Sequence, residues 1–94
     1  MAGKKLIFRV HAIQRMFQRH IEEEDVRIAL ETGEVIEDYP DDTPYPSQLI
    51  LGWAGARPIH IVVARNDKEH ELIVVTVYVP DINLWQPGYR RRKQ

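Results

Sequence analysis

Arg57-Pro-Ile-His-Ile-Val-Val-Ala-Arg65, then Asn66-Asp-Lys-Glu-His70, then Glu71-Leu-Ile-Val-Val-Thr-Val-Tyr-Val79: this stretch decides the fold. Two apolar, β-branched runs flank a short polar segment, the pattern of an antiparallel hairpin. Glu71–Val79 is the most apolar run and is expected at the centre of a sheet. Upstream, Gln48–Ala54 alternates with Leu49, Leu51 and Trp53 on one side, and Gly55-Ala56 makes a tight turn into Arg57. Glu34–Tyr39 reads as a further short strand, followed by the proline-rich loop Pro40–Pro46. Pro80-Asp81 stops the last strand.

Before residue 34 the apolar period is helical. Residues 10–20 form a short amphipathic helix with Ile13, Met16, Phe17 and His20 on its inner face, while His11, Arg15 and Arg19 make a polar stripe at i, i+4 and i+8. A second helix starts near Ile21–Glu22, where Glu22, Glu23, Glu24 and Asp25 complement the helix dipole. Val26, Ala29 and Leu30 face inward, and Thr32-Gly33 ends it with a glycine suited to a left-handed position. The expected fold is α+β: two N-terminal helices on one face of a four-stranded, mainly antiparallel sheet. A single domain spans residues 1–94, with a core at about 6–86 and a basic tail at 90–94.

Composition narrows the chemistry. The 94 residues contain no cysteine, which excludes disulfides, thiolate metal sites and a cysteine nucleophile. No apolar run approaches the ~20 residues of a membrane helix, and Lys4, Lys5 and Arg9 are followed by no secretory pattern, so a cytoplasmic location is expected. No phosphate loop, nucleophile elbow or metal motif is present, so neither metal nor cofactor is expected. The net charge of −1 conceals a basic start, an acidic segment over 21–46 and the basic tail Arg90, Arg91, Arg92, Lys93. The basic ends can meet a polyanion; the bland alternative is a solubilising tail.

His60 lies mid-strand between Ile59 and Ile61. If Ala64 pairs near Leu72, His60 faces Thr76 and lies diagonal to Tyr78, so imidazole, hydroxyl and phenol share one sheet face and can move protons. The competing reading is a half-buried, hydrogen-bonded histidine. Arg15 and Arg19 suit a phosphate or carboxylate, or are simply solvated. Glu37 is a candidate general base or arginine anchor, and otherwise a surface carboxylate. Trp85 and Tyr89 can stack on bases beside the tail, or close the core.

Taken together, His11-Ala12-x-x-Arg15-Met16-x-x-Arg19, Asp25-Val26, Gly33-Glu34-Val35-Ile36-Glu37-x-Tyr39-Pro40, Pro44-x-Pro46-Ser47, Gly52, Arg57-Pro58-x-His60-x-Val62 and Thr76-x-Tyr78-x-Pro80 resemble the bacterial DUF4258 family, from about residue 8 to residue 86. That family is in turn similar in fold to RelE-like toxins. The resemblance implies metal-independent RNA cleavage by 2′-hydroxyl attack, with an antitoxin-like protein as partner. His11 or His60 would be general base or acid, Arg15 and Arg19 would bind phosphate, Tyr78 would position substrate or donate a proton, and Glu37 would orient a base or an arginine. Trp85 would contact substrate. A pI near 6.4 departs from the basic toxins and implies weak RNA affinity. The alternatives are a non-catalytic protein- or ligand-binding module that docks through the acidic segment 34–42 and the proline loop, and a structural or regulatory protein without an active site. An enzyme requires the polar stripe of the first helix and His60 to open onto one pocket.

Overall fold

The computed structural model describes residues 4–94. Chain order is β1 (Lys5–Phe8), α1 (Val10–Gln18), α2 (Glu23–Thr32), β2 (Glu34–Tyr39), β3 (Ser47–Ala54), β4 (Arg57–Asn66) and β5 (Glu71–Tyr78). The strands form one sheet in the order β1-β5-β4-β3-β2. β2 to β5 are the expected antiparallel meander. The sheet has five strands rather than four, and it is mixed, because β1 pairs in parallel with β5, Lys5 opposite Glu71 and Phe8 opposite Val74. Four residues carry little periodicity of their own. Leu6 and Phe8 hold β1 in place by packing against the core.

Both helices cover one face. Ala12, Met16, Ile21, Val26, Ala29 and Leu30 pack there against Ile50, Ile59, Ile61, Val63, Leu72, Val74 and Val77. α1 is rotated from the expected orientation: Ala12 and Met16 are buried, while Ile13 and Phe17 are exposed. β1 runs almost directly into α1, and the Arg9 amide donates to the Val74 carbonyl at 3.0 Å, so the entry of the chain fixes the rotation. Small Ala12 then meets the sheet closely. α1 also stops early, with His20 in a left-handed conformation, φ 55°. The Arg57 guanidinium donates to the Arg19 and His20 carbonyls at 2.6 and 2.9 Å, satisfying acceptors that the last turn leaves open.

At the start of α2 the Glu22 amide donates to the Asp25 carboxylate at 2.8 Å. Gly33 ends the helix in extended conformation, φ −77° and ψ 180°, and not in the left-handed one. Space, not torsion, demands glycine: a Cβ there would lie 2.3 Å from the Ala29 carbonyl oxygen and 2.6 Å from that of Leu51. Gly52 plays the matching part on β3, where a Cβ would lie 2.3 Å from the Ala29 methyl. α2 therefore sits on the sheet through Ala29 against two glycines.

Two register shifts shape the helix-free face. One lies between Val35 and Glu37 on β2, the other opposite Val62 and Val63, where Val75 is the extra residue of β5. Around the second, Ala64 pairs with Ile73, one residue from the expected Leu72, and beyond it His60 pairs with Tyr78, two residues from the expected Thr76. Leu72 and Val74 thus face the helices while Tyr78 faces away from them. Among the described residues no helix is long and apolar enough to cross a membrane.

Gly52→Ala is expected to lower stability by about 1–3 kcal/mol through overpacking against Ala29. The Gly52→Ala/Ala29→Gly pair should lose less than the sum of its single changes, as read by urea unfolding.

Candidate functional site

The helix-free face divides into a covered half and an open half. Over the covered half, residues after β5 fold back as a strap. Trp85 and Arg92 form an antiparallel bridge, and the Gln86 and Lys93 amides each donate at 2.8 Å to the carbonyls of Arg91 and Leu84. The turn between them holds Gly88 at φ 90° and Tyr89 at φ 61°. The basic tail is therefore built into the fold. The Arg90 Nε donates to both Glu34 carboxylate oxygens at 2.9 and 2.8 Å, which holds that carboxyl below its usual range. The Arg92 guanidinium lies 5.5 Å from the Trp85 ring centre.

Beneath the strap lies His60, fully buried. Its ring meets Trp85 edge-on at 4.4 Å between centres and Tyr78 at 5.2 Å. Nε2 lies 2.9 Å from the Tyr89 carbonyl oxygen, which can only accept, so this nitrogen carries the proton. In the neutral ring Nδ1 is then an acceptor, and the Tyr78 hydroxyl donates to it over 3.2 Å. Burial pushes the His60 pKa below its ordinary value, partly opposed by the Tyr89 carbonyl, and burial likewise raises that of Tyr78. Both ring nitrogens are engaged, and Trp85, 5 % exposed, closes the way in. Trp53 supports the same turn, edge-on to Tyr89 at 6.2 Å.

The open half carries a groove of about 420 Å³. Val62, Ala64 and Val75 form its floor; Arg9 and His11 stand on one side; Asp42, Thr43, Pro44, Tyr45 and Ser47 stand on the other. The proline loop is held in shape from within. The Ser47 hydroxyl donates to Asp42 at 2.6 Å, the Arg65 amide to the Pro46 carbonyl at 3.0 Å, and the Asn66 amide group to the Tyr45 hydroxyl at 3.2 Å. An apolar floor of this volume with a few convergent polar groups has the form of a small-molecule site.

The residues singled out from sequence thus fall into three places. His60, Tyr78 and Trp85 meet in the sealed cluster. His11 lines the groove, whose floor includes Val62 and Ala64 on the same face of β4 as His60. Arg15 on α1 and Arg19 just past its end are exposed outside the groove, and Glu37 is exposed on β2 opposite Leu49. Sequence reasoning missed Arg9, Tyr45 and Ser47. The signal for Arg9 was faint: Lys5, Ile7 and Arg9 alternate with Leu6 and Phe8, which places Arg9 away from the helices once β1 is recognised as a strand.

Because the folded protein holds His60 with a lowered pKa, the unfolded chain takes up a proton first as pH falls below about 6.5. The stability from neutral His60 is complete above that value and is lost as pH drops toward the lower folded pKa. The slope there should be up to about 1.4 kcal/mol per pH unit, and His60→Gln should remove it, as read by urea midpoints between about pH 7.5 and 5. Trp85→Ala should cost about 3–5 kcal/mol at neutral pH.

No curated protein and no solved structure matches the chain. Residues 8–79 match the sequence profile of DUF4258, a domain of unknown function, and cover most of the chain. The protein belongs to the DUF4258 family.

Proposed function

We propose that this chain is a binding module that takes a small, partly apolar ligand with an anionic group into the groove between the start of α1 and the proline loop. The observation that carries this reading is the lining. Val62, Ala64 and Val75 offer an apolar bed, while the Arg9 guanidinium and the His11 imidazole are the groove's cationic or proton-donating groups. Asp42 and the Tyr45 and Ser47 hydroxyls on the far wall add acceptors and donors that fix orientation. In this reading His60 is a structural pin and not a catalyst, because its two nitrogens are already bonded and its ring is enclosed.

A second reading keeps the notion of a RelE-like, metal-independent endoribonuclease, for which an antitoxin-like protein would be the partner, but moves its chemistry into the groove, because His60 and the polar stripe of α1 do not open onto one pocket. What favours it is His11 and Arg9 facing phenol and hydroxyl groups across one cleft. A ribose 2′-hydroxyl would attack the adjacent phosphorus while His11 accepts its proton. Arg9 would stabilise the phosphorane, and the proton that His11 has taken would pass to the departing 5′-oxygen, leaving a 2′,3′-cyclic phosphate, a free 5′-hydroxyl and neutral His11. Two helices on one face of a mixed sheet support the likeness in fold. Arg15 and Arg19 would contact RNA only beyond the groove, and His60, Tyr78 and Trp85 would hold the scaffold.

The two readings separate in solution. Titration with benzoate and with uridine 3′-phosphate, followed by amide chemical shifts, should perturb Arg9, His11, Val62, Ala64 and Val75. Arg9→Ala should weaken binding about tenfold at unchanged melting temperature. Absence of shifts in the groove with either probe overturns the binding proposal. RNA cleavage that disappears in a folded His11→Ala variant would establish the nuclease instead.

A further inference from the structure

The two walls of the groove carry opposite charges. Arg9 and His11 stand where β1 runs into α1, and Asp42 stands across the floor on the proline loop. None of the three takes part in an ion pair among the described residues, whose pairs are Lys4–Asp67, Arg27–Glu23 and Arg90–Glu34. Their charges are therefore not spent within the fold. Asp42 is also held firmly. Its amide donates to the Tyr39 carbonyl at 3.2 Å, which ties it to the end of β2, and its Oδ2 accepts from the Ser47 hydroxyl at 2.6 Å. Ser47 is buried and pairs with Ala64 of the floor, so its hydroxyl keeps the carboxylate at the floor's edge. The second oxygen, Oδ1, makes no hydrogen bond among the described residues and can still accept one.

The topology sets the span. Arg9 follows Phe8, which pairs with Val74 on β5, and Ser47 pairs with Ala64 on β4. β5 and β4 lie between β1 and β3, so the backbones behind the two walls are three strand spacings apart, roughly 14 Å. Side chains reach in from both sides. What remains is room for a compact apolar body over Val62, Ala64 and Val75, with one polar group at each end. A polyanion suits this space poorly, because any phosphate brought to the far wall meets the like charge of Asp42.

We propose that the ligand of this groove is a small zwitterion, with its anionic group on Arg9 and His11, its ammonium on Asp42 and its apolar body on the floor between them. This rests on the binding reading above and adds a second charge to the ligand. The Arg9 guanidinium offers a planar fork of donors to a carboxylate, and an ammonium offers donors to the Asp42 carboxylate. The apolar floor selects against a short, fully polar zwitterion, since nothing in such a molecule would cover it.

Amide-shift titrations of the full chain with para-(aminomethyl)benzoate and para-methylbenzoate, which differ only in the ammonium at the end remote from the carboxylate, test this. The zwitterion should bind about fivefold more tightly, the gain of one partly exposed ion pair, and the margin should shrink as salt is raised. In Asp42→Asn, whose amide oxygen can still accept from Ser47, the zwitterion should weaken while para-methylbenzoate holds or tightens, a pattern that a disturbed loop would not give. Equal affinity of the two acids for the unmodified chain, or a margin that survives in a folded Asp42→Asn variant, overturns the zwitterion proposal and leaves the anion-binding groove standing. If that variant does not fold, the unmodified chain decides, and a margin indifferent to salt overturns the proposal. Absence of groove shifts with both acids removes the zwitterion and the binding reading together.

Discussion

The hydrogen bond from the buried imidazole of His60 to the carbonyl of Tyr89 is the contact on which the rest of the helix-free face depends. A sheet with helices on one side leaves its other face wet unless something covers it. Here a segment of about ten residues does so, and it contains few apolar side chains besides Trp85. A polar pin under Trp85 compensates for that shortage. It fixes the height and direction of the turn at Gly88-Tyr89, sets Trp85 over the ring, and brings Arg90 to Glu34. Tyr89 adopts a left-handed backbone to aim its carbonyl, at a cost of order 1 kcal/mol. One charge-neutral, doubly bonded ring is well suited to this task, because a buried donor or acceptor without a partner would be costly.

Covering only half of the face creates the groove. The strap ends near Pro58 and His60, and β4 continues beyond it through Val62 and Ala64. The floor of the groove is thus the uncovered remainder of the sheet. Its walls come from the two places where chain leaves the sheet on that side, the step from β1 into α1 and the connection from β2 to β3. On the opposite face the glycine contacts of Ala29 keep α2 low against β3, behind the covered half of the sheet.

Much of this was legible in the residues, and what was not has physical causes. The meander from Glu34 to Tyr78 could be read because each strand alternates and each connection is local, with turn residues at Gly55 and at Asn66–His70. β1 could not, because its partner lies at the other end of the chain. The rotation of α1 was misjudged because large Phe17 outweighed small Ala12 on any hydrophobic scale, whereas close approach to a sheet favours the small residue. The bulge at Val75 is a tertiary compromise with no local signature; added to a register already one residue from the expected one at Ala64, it moved the partner of His60 from Thr76 to Tyr78. Of the candidate site, His60 and Tyr78 were read as sharing one sheet face, and His11 was expected to open onto the same pocket. The division between a closed cluster and an open groove depended on the strap, which was not foreseen because the four basic residues from Arg90 to Lys93 suggested a free tail.

The parallel pairing of β1 with β5 has a consequence for how the molecule is made. During synthesis β1 and both helices leave the ribosome first, yet the strand that β1 needs is the last of the sheet to appear. Until β5 arrives, Leu6, Phe8 and the inner face of α1 have no strand to rest on, although α2 can already settle on β3 where Ala29 meets Gly52. Pairing of β1 with β5 is then a late step that brings α1 onto a sheet already begun.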